Sequence, residues 1–497
     1  MQDLKVMALR GGLAKLFGQG GIFAARLAFM VIVARILAPE DFGLVAMVTA
    51  VTAVLEIFAT AGLSVASVQR ATITDAQIST LFWVNLLVGA LLSLLCLAIA
   101  PLVVAFYQEP RLFWVTAAMG VGFFFNAAGV QHLALLQRQL RYTTMATIEF
   151  LSHLASLSLG VGVALAGYGY WALVCAVVAT PTIVTISVWA VTAWVPGFPS
   201  RMAQVRSLLH FGGTVTSSGL VAYLTFNFDK FILGRVWGAS ALGHYAVPSQ
   251  LLNTPTANIN MAIGSVMFAV LSRLQDDQAR FKTYFLNAYA LIVSLMLPIT
   301  IFAGVFPEEI ITVVLGPQWT ESVPIFRLLV PAVLVLGLIY PLAWFLWSRG
   351  HHVRALKMSL VIAALVITGC LVGLPYGPEG VAVGFSAAMV LWLLPHVTWT
   401  LRGSPVTPLE LFGAAGRPAL SACVAAGVAL LVQSYLSPLE PEFLRLALAG
   451  GVMAAVYPCM LLFVLGQKDL YVDLLKTIRT SSATPMAANA AASPSSL

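Results

Sequence analysis

Charge is scarce in this chain of 497 residues. Charged residues make up 9% of the sequence and hydrophobic residues 60%. A soluble domain carries roughly a quarter of its residues as Asp, Glu, Lys or Arg, so this composition excludes a soluble protein. Long uncharged runs occupy most of the chain, and about 20 apolar residues are enough to cross a bilayer as a helix. The sequence therefore predicts an integral membrane protein.

Several chemical signatures are missing as well. The five cysteines are isolated in predicted spans without Cys-x-x-Cys spacing, which predicts small apolar residues rather than a redox centre. His132, His153 and His210 each lack metal-ligand spacing to another His, Cys or carboxylate, and we predict no metal site and no cofactor. The net charge of +7 comes without a basic stripe interleaved with aromatic residues, so no nucleic acid partner is expected. No cleavable signal peptide is evident.

The uncharged runs predict an all-α membrane protein with about fourteen transmembrane helices. The run at 150–200 is long enough for two spans, and the paired glycines of Gly167-Tyr168-Gly169-Tyr170 supply the turn between them. The predicted spans lie near 15–36, 42–68, 78–105, 111–136, 143–166, 169–194, 207–234, 240–270, 281–306, 322–347, 353–374, 379–401, 410–436 and 442–466.

Cations are unevenly distributed over the predicted connections. With the N-terminus inside, nineteen of the 26 Lys and Arg residues lie on the cytoplasmic side. The opposite connections hold only Arg35, Arg111, Arg235 and Arg445. Such a positive-inside pattern predicts that both termini are cytoplasmic, and a miscounted helix would scramble it.

An internal repeat is visible between the first and seventh predicted helices. The segment from Arg35 to Gly43 recurs 200 residues later as the segment from Arg235 to Gly243, and both segments join long apolar stretches. Six helices separate the two copies, so both run through the membrane in the same direction. The repeat is therefore parallel, with its halves related by an axis along the membrane normal and a cavity between them.

This repeat predicts the domain organisation. We expect an N-terminal six-helix bundle at 1–200, a second six-helix bundle at 201–405 and two additional spans at 406–467. The remaining residues, 468–497, are predicted to form a cytoplasmic tail. From about residue 480 the tail is rich in Ala, Ser and Pro without aromatics, which predicts disorder.

Six ionisable residues lie within predicted spans, and at about 3 kcal/mol each they would cost on the order of 18 kcal/mol if left unpaired. They must therefore pair, reach the interface or face water in a cavity. Intramembrane charges are functional candidates by default, although a structural ion pair between Arg26 and Glu56 is an equal alternative. The six residues are Arg26, Glu56, Glu149, Asp229, Lys230 and Arg327.

The seventh predicted helix presents one polar face. Tyr223, Asn227 and Lys230 recur at positions i, i+4 and i+7, while Asp229 points elsewhere. Lys230 either contacts a ligand or extends to the nearby interface.

The eighth predicted helix carries Gln250, Asn253, Asn260 and Gly264 along one stripe. Such a stripe suits a cavity that binds sugar hydroxyls, and hydrogen bonding between helices is the alternative explanation. His132, His153 and His210 lie in spans or at their ends and are predicted to be packing or interfacial residues.

The order of several short segments resembles the polysaccharide transporter family. It is closest to the Wzx-type flippases of the multidrug/oligosaccharidyl-lipid/polysaccharide superfamily, in their colanic-acid-exporter-like branch. The resemblance covers nearly the whole chain. The segments that carry it are Ala34-Arg35-Ile36-Leu37, Phe42-Gly43-Leu44, Gln69-Arg70, Leu81-Phe82-Trp83-Val84-Asn85, Leu135-Leu136-Gln137-Arg138, Tyr223-Leu224 with Asn227, Arg235, Gly243-His244-Tyr245, Leu271-Ser272-Arg273-Leu274-Gln275-Asp276-Asp277 and Leu315-Gly316-Pro317-Gln318-Trp319.

The resemblance implies translocation of undecaprenyl-diphosphate-linked oligosaccharide repeat units across the bacterial inner membrane, for exopolysaccharide, capsule or O-antigen synthesis. The implied partners are this lipid-linked oligosaccharide, membrane lipid, and a polysaccharide polymerase with its export machinery. Arg26, Lys230 and Arg235 are the cationic candidates for the diphosphate, with Asn227, Gln250, Asn253 and Asn260 for the glycan. Glu56, Glu149 and Asp229 are candidates for binding a coupling proton or sodium ion.

Two other functions compete with this interpretation. An exporter of a drug or small metabolite in the same superfamily would share the cavity and its charges. A membrane glycosyltransferase or polysaccharide polymerase is less favoured, because the sequence has neither an Asp-x-Asp metal motif nor a long connection to hold a catalytic centre. We therefore predict a non-enzymatic protein with no catalytic residues.

Overall fold

The computed structural model describes residues 2–59, 74–199, 206–436, 442–468 and 471. Every regular element among these residues is helical, which confirms the all-α prediction. The end of the second predicted span and the C-terminal tail lie outside the described residues.

The helices follow the predicted spans closely along the chain. The helix Arg206–Arg273 is divided by non-helical backbone at Gly238, and we treat its two parts as separate helices. The helices are α1 Gln2–Ala34, α2 Pro39–Ala59, α3 Asp75–Tyr107, α4 Leu112–Arg138, α5 Tyr142–Leu165, α6 Trp171–Thr192, α7 at 206–237, α8 at 239–273, α9 Gln278–Val305, the short α10 Pro307–Val314, α11 Ser322–Ser348, α12 His352–Gly373, α13 Gly377–Leu401, α14 Pro408–Leu436 and α15 Glu442–Cys459.

Two predicted turns are confirmed by their backbone conformation. Gly238 has a φ of 81° and separates α7 from α8 within a single residue. Gly167 and Gly169 also have positive φ, and they lie between the end of α5 and the start of α6. Left-handed backbone strains any residue with a Cβ, so glycine allows both turns to be tight.

Among the residues that the structure describes, ten helical stretches are long and apolar enough to cross a membrane. Two of them, Leu220–Arg273 and Val353–Leu401, contain 54 and 49 residues and are each long enough to cross twice. In α1 a shorter apolar stretch spans Gly18–Ala34. The protein is thus a multi-pass membrane protein, and the count of fourteen crossings stays a prediction.

The chain divides into two compact units. Unit 1 comprises Met1–Leu251, Ile311–Leu329 and Leu356–Met389, and unit 2 comprises Leu252–Ile310, Val330–Ala355 and Val390–Leu497. The predicted bundles at 1–200 and 201–405 stay a prediction.

In unit 1, α3 packs on α4, α4 on α6, and α5 on both α6 and α1. Hydroxyl groups connect these apolar helices: Ser93 Oγ donates to the carbonyl of Gly120 at 2.5 Å, and Thr185 Oγ1 donates to the carbonyl of Phe125 at 2.6 Å. Hydrogen bonds of this kind join helices in lipid, where burial of apolar surface gives no net driving force.

In unit 2, α14 packs between α9 and α15. Its core contains the buried rings of Phe285, Tyr289 and Phe345 against the alanines Ala422 and Ala425 of α14. The small alanines let α9, which carries Phe285 and Tyr289, approach α14 closely. Tyr457 Oη donates to the carbonyl of Ser294 at 2.6 Å, which connects α15 to α9.

Candidate functional site

Several helix connections of unit 1 lie together at one end, which we call the turn end. The Asp41 carboxylate, at the start of α2, accepts the backbone N–H of Tyr170 from the α5/α6 turn at 3.0 Å. Glu40 accepts Arg111 Nη2 from the α3/α4 connection at 2.5 Å. Since helices that alternate in direction bring alternate connections to one side, this grouping is what the predicted topology requires.

A polar cluster lies between α1 and α5 in the predicted spanning region. Arg26 Nη2 is 2.8 Å from His153 Nε2, and His153 Nδ1 is 2.8 Å from the carbonyl oxygen of Glu149. A carbonyl oxygen can only accept a hydrogen bond, so Nδ1 of His153 carries the hydrogen and donates to it, and Nε2 accepts the guanidinium N–H. Gln19 Nε2 donates to Glu149 Oε2 at 3.4 Å. The cluster therefore holds Arg26 against a neutral imidazole.

Close contact of α1 with α5 makes this cluster possible. A Cβ built at Gly21 would lie 2.8 Å from the Phe150 ring, and one built at Gly18 would lie 3.3 Å from the Ala146 Cβ. Glycine at these two positions brings the backbones near enough for side chains to meet across the interface. The Arg26 side chain is exposed, whereas Glu149 and His153 are half-buried.

Sequence reasoning missed His153, which was predicted to be a packing or interfacial residue. Its partner Arg26 is 127 positions away, and nothing in the local sequence around either residue indicates the contact. The alternative partner, Glu56, is exposed on α2 and interacts electrostatically with Tyr223 of α7.

The predicted polar face of α7 forms a chain of hydrogen bonds. Lys230 Nζ donates to Asn227 Oδ1 at 2.8 Å, and Asn227 Nδ2 donates to the carbonyl of Tyr223 at 2.9 Å. Tyr223 Oη donates to the carbonyl of Ala50 in α2 at 3.0 Å. The three side chains share one face, as their spacing predicts, and the half-buried ammonium of Lys230 has a neutral partner.

Asp229 faces away from that polar chain and is buried, with 3% of its surface exposed. Its Oδ1 accepts the backbone N–H of Lys230 at 2.8 Å, and its Oδ2 accepts the hydroxyl of Tyr245 at 2.7 Å. Tyr245 belongs to α8, so the carboxylate connects the helices on both sides of the Gly238 turn. Both carboxylate oxygens therefore accept hydrogen bonds, Oδ1 from within α7 and Oδ2 from α8.

The remaining candidates fall in different places. Arg235 and Gln250 are exposed, Arg235 near the end of α7 and Gln250 on α8. Asn253 and Asn260 belong to unit 2, where the side chain of Asn253 is hydrogen-bonded to Tyr340 of α11. On the same stripe, a Cβ built at Gly264 would lie 2.6 Å from Nε1 of the Trp344 ring. Among the described residues, Oδ1 of Asn253 and Oδ1 of Asn260 are buried without a hydrogen-bond partner. Both explanations of the stripe, a cavity lining and hydrogen bonding between helices, therefore stay predictions.

His132 behaves as predicted, because its ring is buried and stacks on Trp189 with centroids 4.4 Å apart. The side chain of His210 lies outside the described part of the chain. Within the described ranges, no three His, Cys, Asp or Glu residues are grouped closely enough to hold a metal ion.

Long apolar helices that carry charged clusters define a multi-pass membrane protein of the transporter type. Its fold is similar to that of the lipid II flippase MurJ in an inward closed conformation, with a TM-score of 0.71 and 13% identity, covering 93% of this chain and 100% of that one. Residues 32–324 match the family described as polysaccharide biosynthesis protein, and the chain belongs to that family.

Two relatives support this assignment. The teichuronic acid biosynthesis protein TuaB of Bacillus subtilis is 28% identical over 349 residues, which is 68% of this chain and 71% of the relative. The succinoglycan biosynthesis transport protein ExoT of Rhizobium meliloti is 23% identical over 482 residues, which is 95% of each chain. The family predicted from the sequence is confirmed.

Proposed function

We propose that this protein flips undecaprenyl-diphosphate-linked oligosaccharide repeat units across the bacterial inner membrane, from the cytoplasmic to the periplasmic face. Family membership and the name of ExoT, a biosynthesis transport protein, support this proposal. The observation that carries it is the presence of two cations in the predicted spanning region of unit 1, Arg26 and Lys230, each hydrogen-bonded to a neutral group.

Neutral partners matter because the cargo is an anion. A cation hydrogen-bonded to a carboxylate would have to exchange one anion for another, whereas the side chains of Arg26 and Lys230 are oriented by hydrogen bonds to the neutral groups of His153 and Asn227. The neighbouring Asp229 carboxylate attracts Lys230 without a hydrogen bond to its ammonium. Guanidinium suits this task, since its planar fork donates two hydrogen bonds to phosphate oxygens. Arg235, exposed near the end of α7, is proposed to assist the cargo as it leaves.

The orientation and the coupling ion form part of the same proposal. The distribution of Lys and Arg supports a cytoplasmic location for both termini and a periplasmic location for the turn end of unit 1. Glu56 and Glu149 are proposed to bind the coupling proton or sodium ion. Asp229 is the third candidate, although both of its oxygens accept hydrogen bonds in this structure. A polysaccharide polymerase is the proposed partner that receives the flipped unit.

The test is depletion of the protein in its native host. Lipid-linked oligosaccharide in the inner membrane and mature polysaccharide outside the cell would be measured together. We expect complete repeat units to accumulate on the cytoplasmic face while external polymer is lost. Unchanged pools of lipid-linked units would reject a flippase and favour export of a drug or small metabolite.

Complementation by variants then tests the two cations. Arg26→Ala and Lys230→Met are expected to insert in the membrane but fail to restore polymer, because each removes one charge that meets the diphosphate. Arg327→Ala is the matched control, since Arg327 is an exposed arginine in a helix of the same unit and is not among the residues proposed to bind the diphosphate or the glycan. Full activity of Arg26→Ala would remove that residue from the site.

A further inference from the structure

Three helix connections of unit 2 lie together at one end, which we call the basic end. They are residues 274–277 between α8 and α9, residues 349–351 between α11 and α12, and residues 402–407 between α13 and α14. Lys282 Nζ, near the start of α9, lies 2.6 Å from Glu410 Oε1, near the start of α14. None of these residues belongs to the proposed diphosphate site, so the proposed function does not use them.

An arginine caps the C-terminal end of α13 at the basic end. Arg354 Nη1 lies 3.0 Å from the carbonyl oxygen of Arg402, 3.4 Å from that of Thr400 and 3.5 Å from that of Trp399. The last carbonyls of a helix have no partner within the helix, so this nitrogen donates to groups that would otherwise need water. A guanidinium has five N–H donors on three nitrogens. Among the described residues these contacts use only Nη1 of Arg354, which leaves the N–H groups of Nε and Nη2 for another acceptor.

Arg349 adds a second guanidinium beside the first. Its Nη2 donates to the carbonyl of Gly403 at 3.4 Å, and its central carbon lies 5.7 Å from the ring centroid of Phe345 and 5.9 Å from that of Phe281. Burial lowers the pKa of Arg349, and repulsion from Arg354 lowers it further. The two positive charges therefore lie close enough to repel each other.

Arg402 completes what we call the arginine cluster, Arg349, Arg354 and Arg402. Its carbonyl contacts Arg354, and its side chain is exposed at the same point. The C-terminal end of α13 carries about half of one negative charge. That partial charge offsets only a small part of the positive charge of three guanidiniums, so the cluster can accept an anion.

The carboxylates that form ion pairs at the basic end do so with other cations. Asp277 Oδ2 lies 3.4 Å from Arg280 Nε, and Glu410 is paired with Lys282. The second oxygen of Glu410 accepts the backbone N–H of Thr407 at 3.0 Å, which caps the start of α14. Among the residues that the structure describes, none of the three arginines of the cluster forms an ion pair with a carboxylate.

Exposed apolar side chains lie on the two helices that end at the cluster. Trp347, two residues before Arg349 on α11, has 50% of its surface exposed, and Leu394 on α13 has 61%. The two helices share a core that includes Phe345 of α11 and Leu401 of α13. Lipid chains cover such apolar surface in a bilayer, and tryptophan is enriched at the level of the headgroups. The cluster therefore lies where a headgroup would lie above its own acyl chains.

We propose that the arginine cluster binds the phosphate of an anionic phospholipid, whose acyl chains lie along the exposed apolar surface of α11 and α13. Guanidinium N–H groups match phosphate oxygens in geometry and charge, and the bound anion offsets the repulsion within the cluster. The predicted orientation assigns the basic end to the cytoplasmic leaflet, where basic pockets bind anionic headgroups. A free phosphate ion would use the arginines but leave the apolar surface unused.

The test measures lipid binding by the purified full-length protein. Native mass spectrometry in detergent would give the Kd of the first bound dioleoylphosphatidylglycerol and of the first bound dioleoylphosphatidylcholine, which has the same acyl chains but no net charge. Arg349→Gln and Arg402→Gln each remove one positive charge near the headgroup. Each is expected to weaken phosphatidylglycerol binding about fivefold and to leave phosphatidylcholine binding unchanged.

Arg280→Gln is the matched control. Arg280 is an exposed arginine at the same end of unit 2, and its substitution changes the net charge by the same amount, but its partner is Asp277. This variant is expected to change phosphatidylglycerol binding by less than about twofold. Arg402→Gln alters an exposed side chain, so it keeps the test decisive if Arg349→Gln does not fold. Arg354 is left unchanged because it caps α13.

Each result decides the inference. Weaker phosphatidylglycerol binding in Arg349→Gln or Arg402→Gln, with Arg280→Gln unchanged, supports the lipid site. Equal weakening in all three variants would show an effect of net charge alone, and equal affinity of the parent protein for both lipids would show no preference for an anion; either result overturns the proposal.

Two competitors separate the possible sources of the phosphate. Displacement of phosphatidylglycerol by inorganic phosphate would assign the cluster to a free anion, and displacement by an equimolar amount of undecaprenyl diphosphate would assign it to the cargo. Either displacement overturns the proposal, whereas retention of phosphatidylglycerol against both supports it. Lipid binding is measured without transport, so a failure of the depletion experiment to show flipping would leave this result intact.

Discussion

Replacing either Gly43 or Gly243 by alanine should lower the stability of the protein. The Cβ of Gly43→Ala would overlap the carbonyl of Ala239, and that of Gly243→Ala the carbonyl of Pro39. The obstructing atoms belong to the backbone and cannot rotate away, so the cost lies near the upper end of the 1 to 3 kcal/mol range for overpacking, about 3 kcal/mol. Alanine recovers about 1 kcal/mol of helix propensity over glycine, which leaves a net loss of about 2 kcal/mol.

This loss is measurable as a shift in melting temperature. The entropy of unfolding is about 2.1 cal/mol/K per residue, so for a chain of 497 residues each kcal/mol corresponds to roughly 1 °C. Purified full-length protein in detergent, followed by tryptophan fluorescence during heating, is expected to melt about 2 °C lower for each variant. Gly162→Ala is the control, because a Cβ there meets nothing within 4 Å, and it should melt slightly higher.

The double variant gives a sharper result. Both substitutions separate the same pair of backbone segments, so the second one acts on a contact that the first has already opened. Gly43→Ala combined with Gly243→Ala is therefore expected to lose less than the sum of the single losses. If both single variants melt with the parent protein, or if their losses add fully, the two glycines do not share one contact and the reciprocal arrangement is wrong.

Two further predictions concern charged groups of unit 1. Asp229→Asn offers one acceptor oxygen where the carboxylate uses two, so it should lower the free energy of unfolding by about 1 to 3 kcal/mol. If Asp229 is instead the coupling group, the pH or sodium dependence of transport in the same variant would be flattened. At the turn end, the hydrogen bond from Arg111 lowers the pKa of the Glu109 carboxyl, so the folded state gains stability above the ordinary Glu pKa and loses it as the pH falls through the lowered value. Glu109→Gln should therefore reduce the melting temperature slightly at neutral pH and not in strong acid, by less than about 1 kcal/mol because the pair is partly exposed. An equal effect at both pH values would contradict this account.

The sequence predicts the helices well because the membrane imposes a simple rule on composition. Uncharged stretches long enough to span appear as helices at nearly the predicted positions, and the predicted break between residues 234 and 240 is the left-handed Gly238. The turn at Gly167 to Tyr170 is confirmed as well, because Gly167 and Gly169 have positive φ, which glycine adopts without strain.

The site was less predictable, because its contacts join residues that are distant in sequence. The face shared by Tyr223, Asn227 and Lys230 follows from helical spacing, and the structure confirms it. The contact between Arg26 and His153 depends on how α1 packs on α5, and no local pattern encodes that packing. A single histidine in an apolar helix therefore indicates a packing residue from the sequence alone, whereas in the structure the His153 ring contacts the Arg26 guanidinium.

The internal repeat is visible in the sequence, but its physical cause appears only in the structure. In the sequence, Gly43 and Gly243 are only the same residue type at a constant offset of 200. In the structure they lie on the two sides of a reciprocal contact, where each must leave room for a carbonyl of the other copy. A position beside a two-fold axis meets its own counterpart, so the same steric limit acts on both copies.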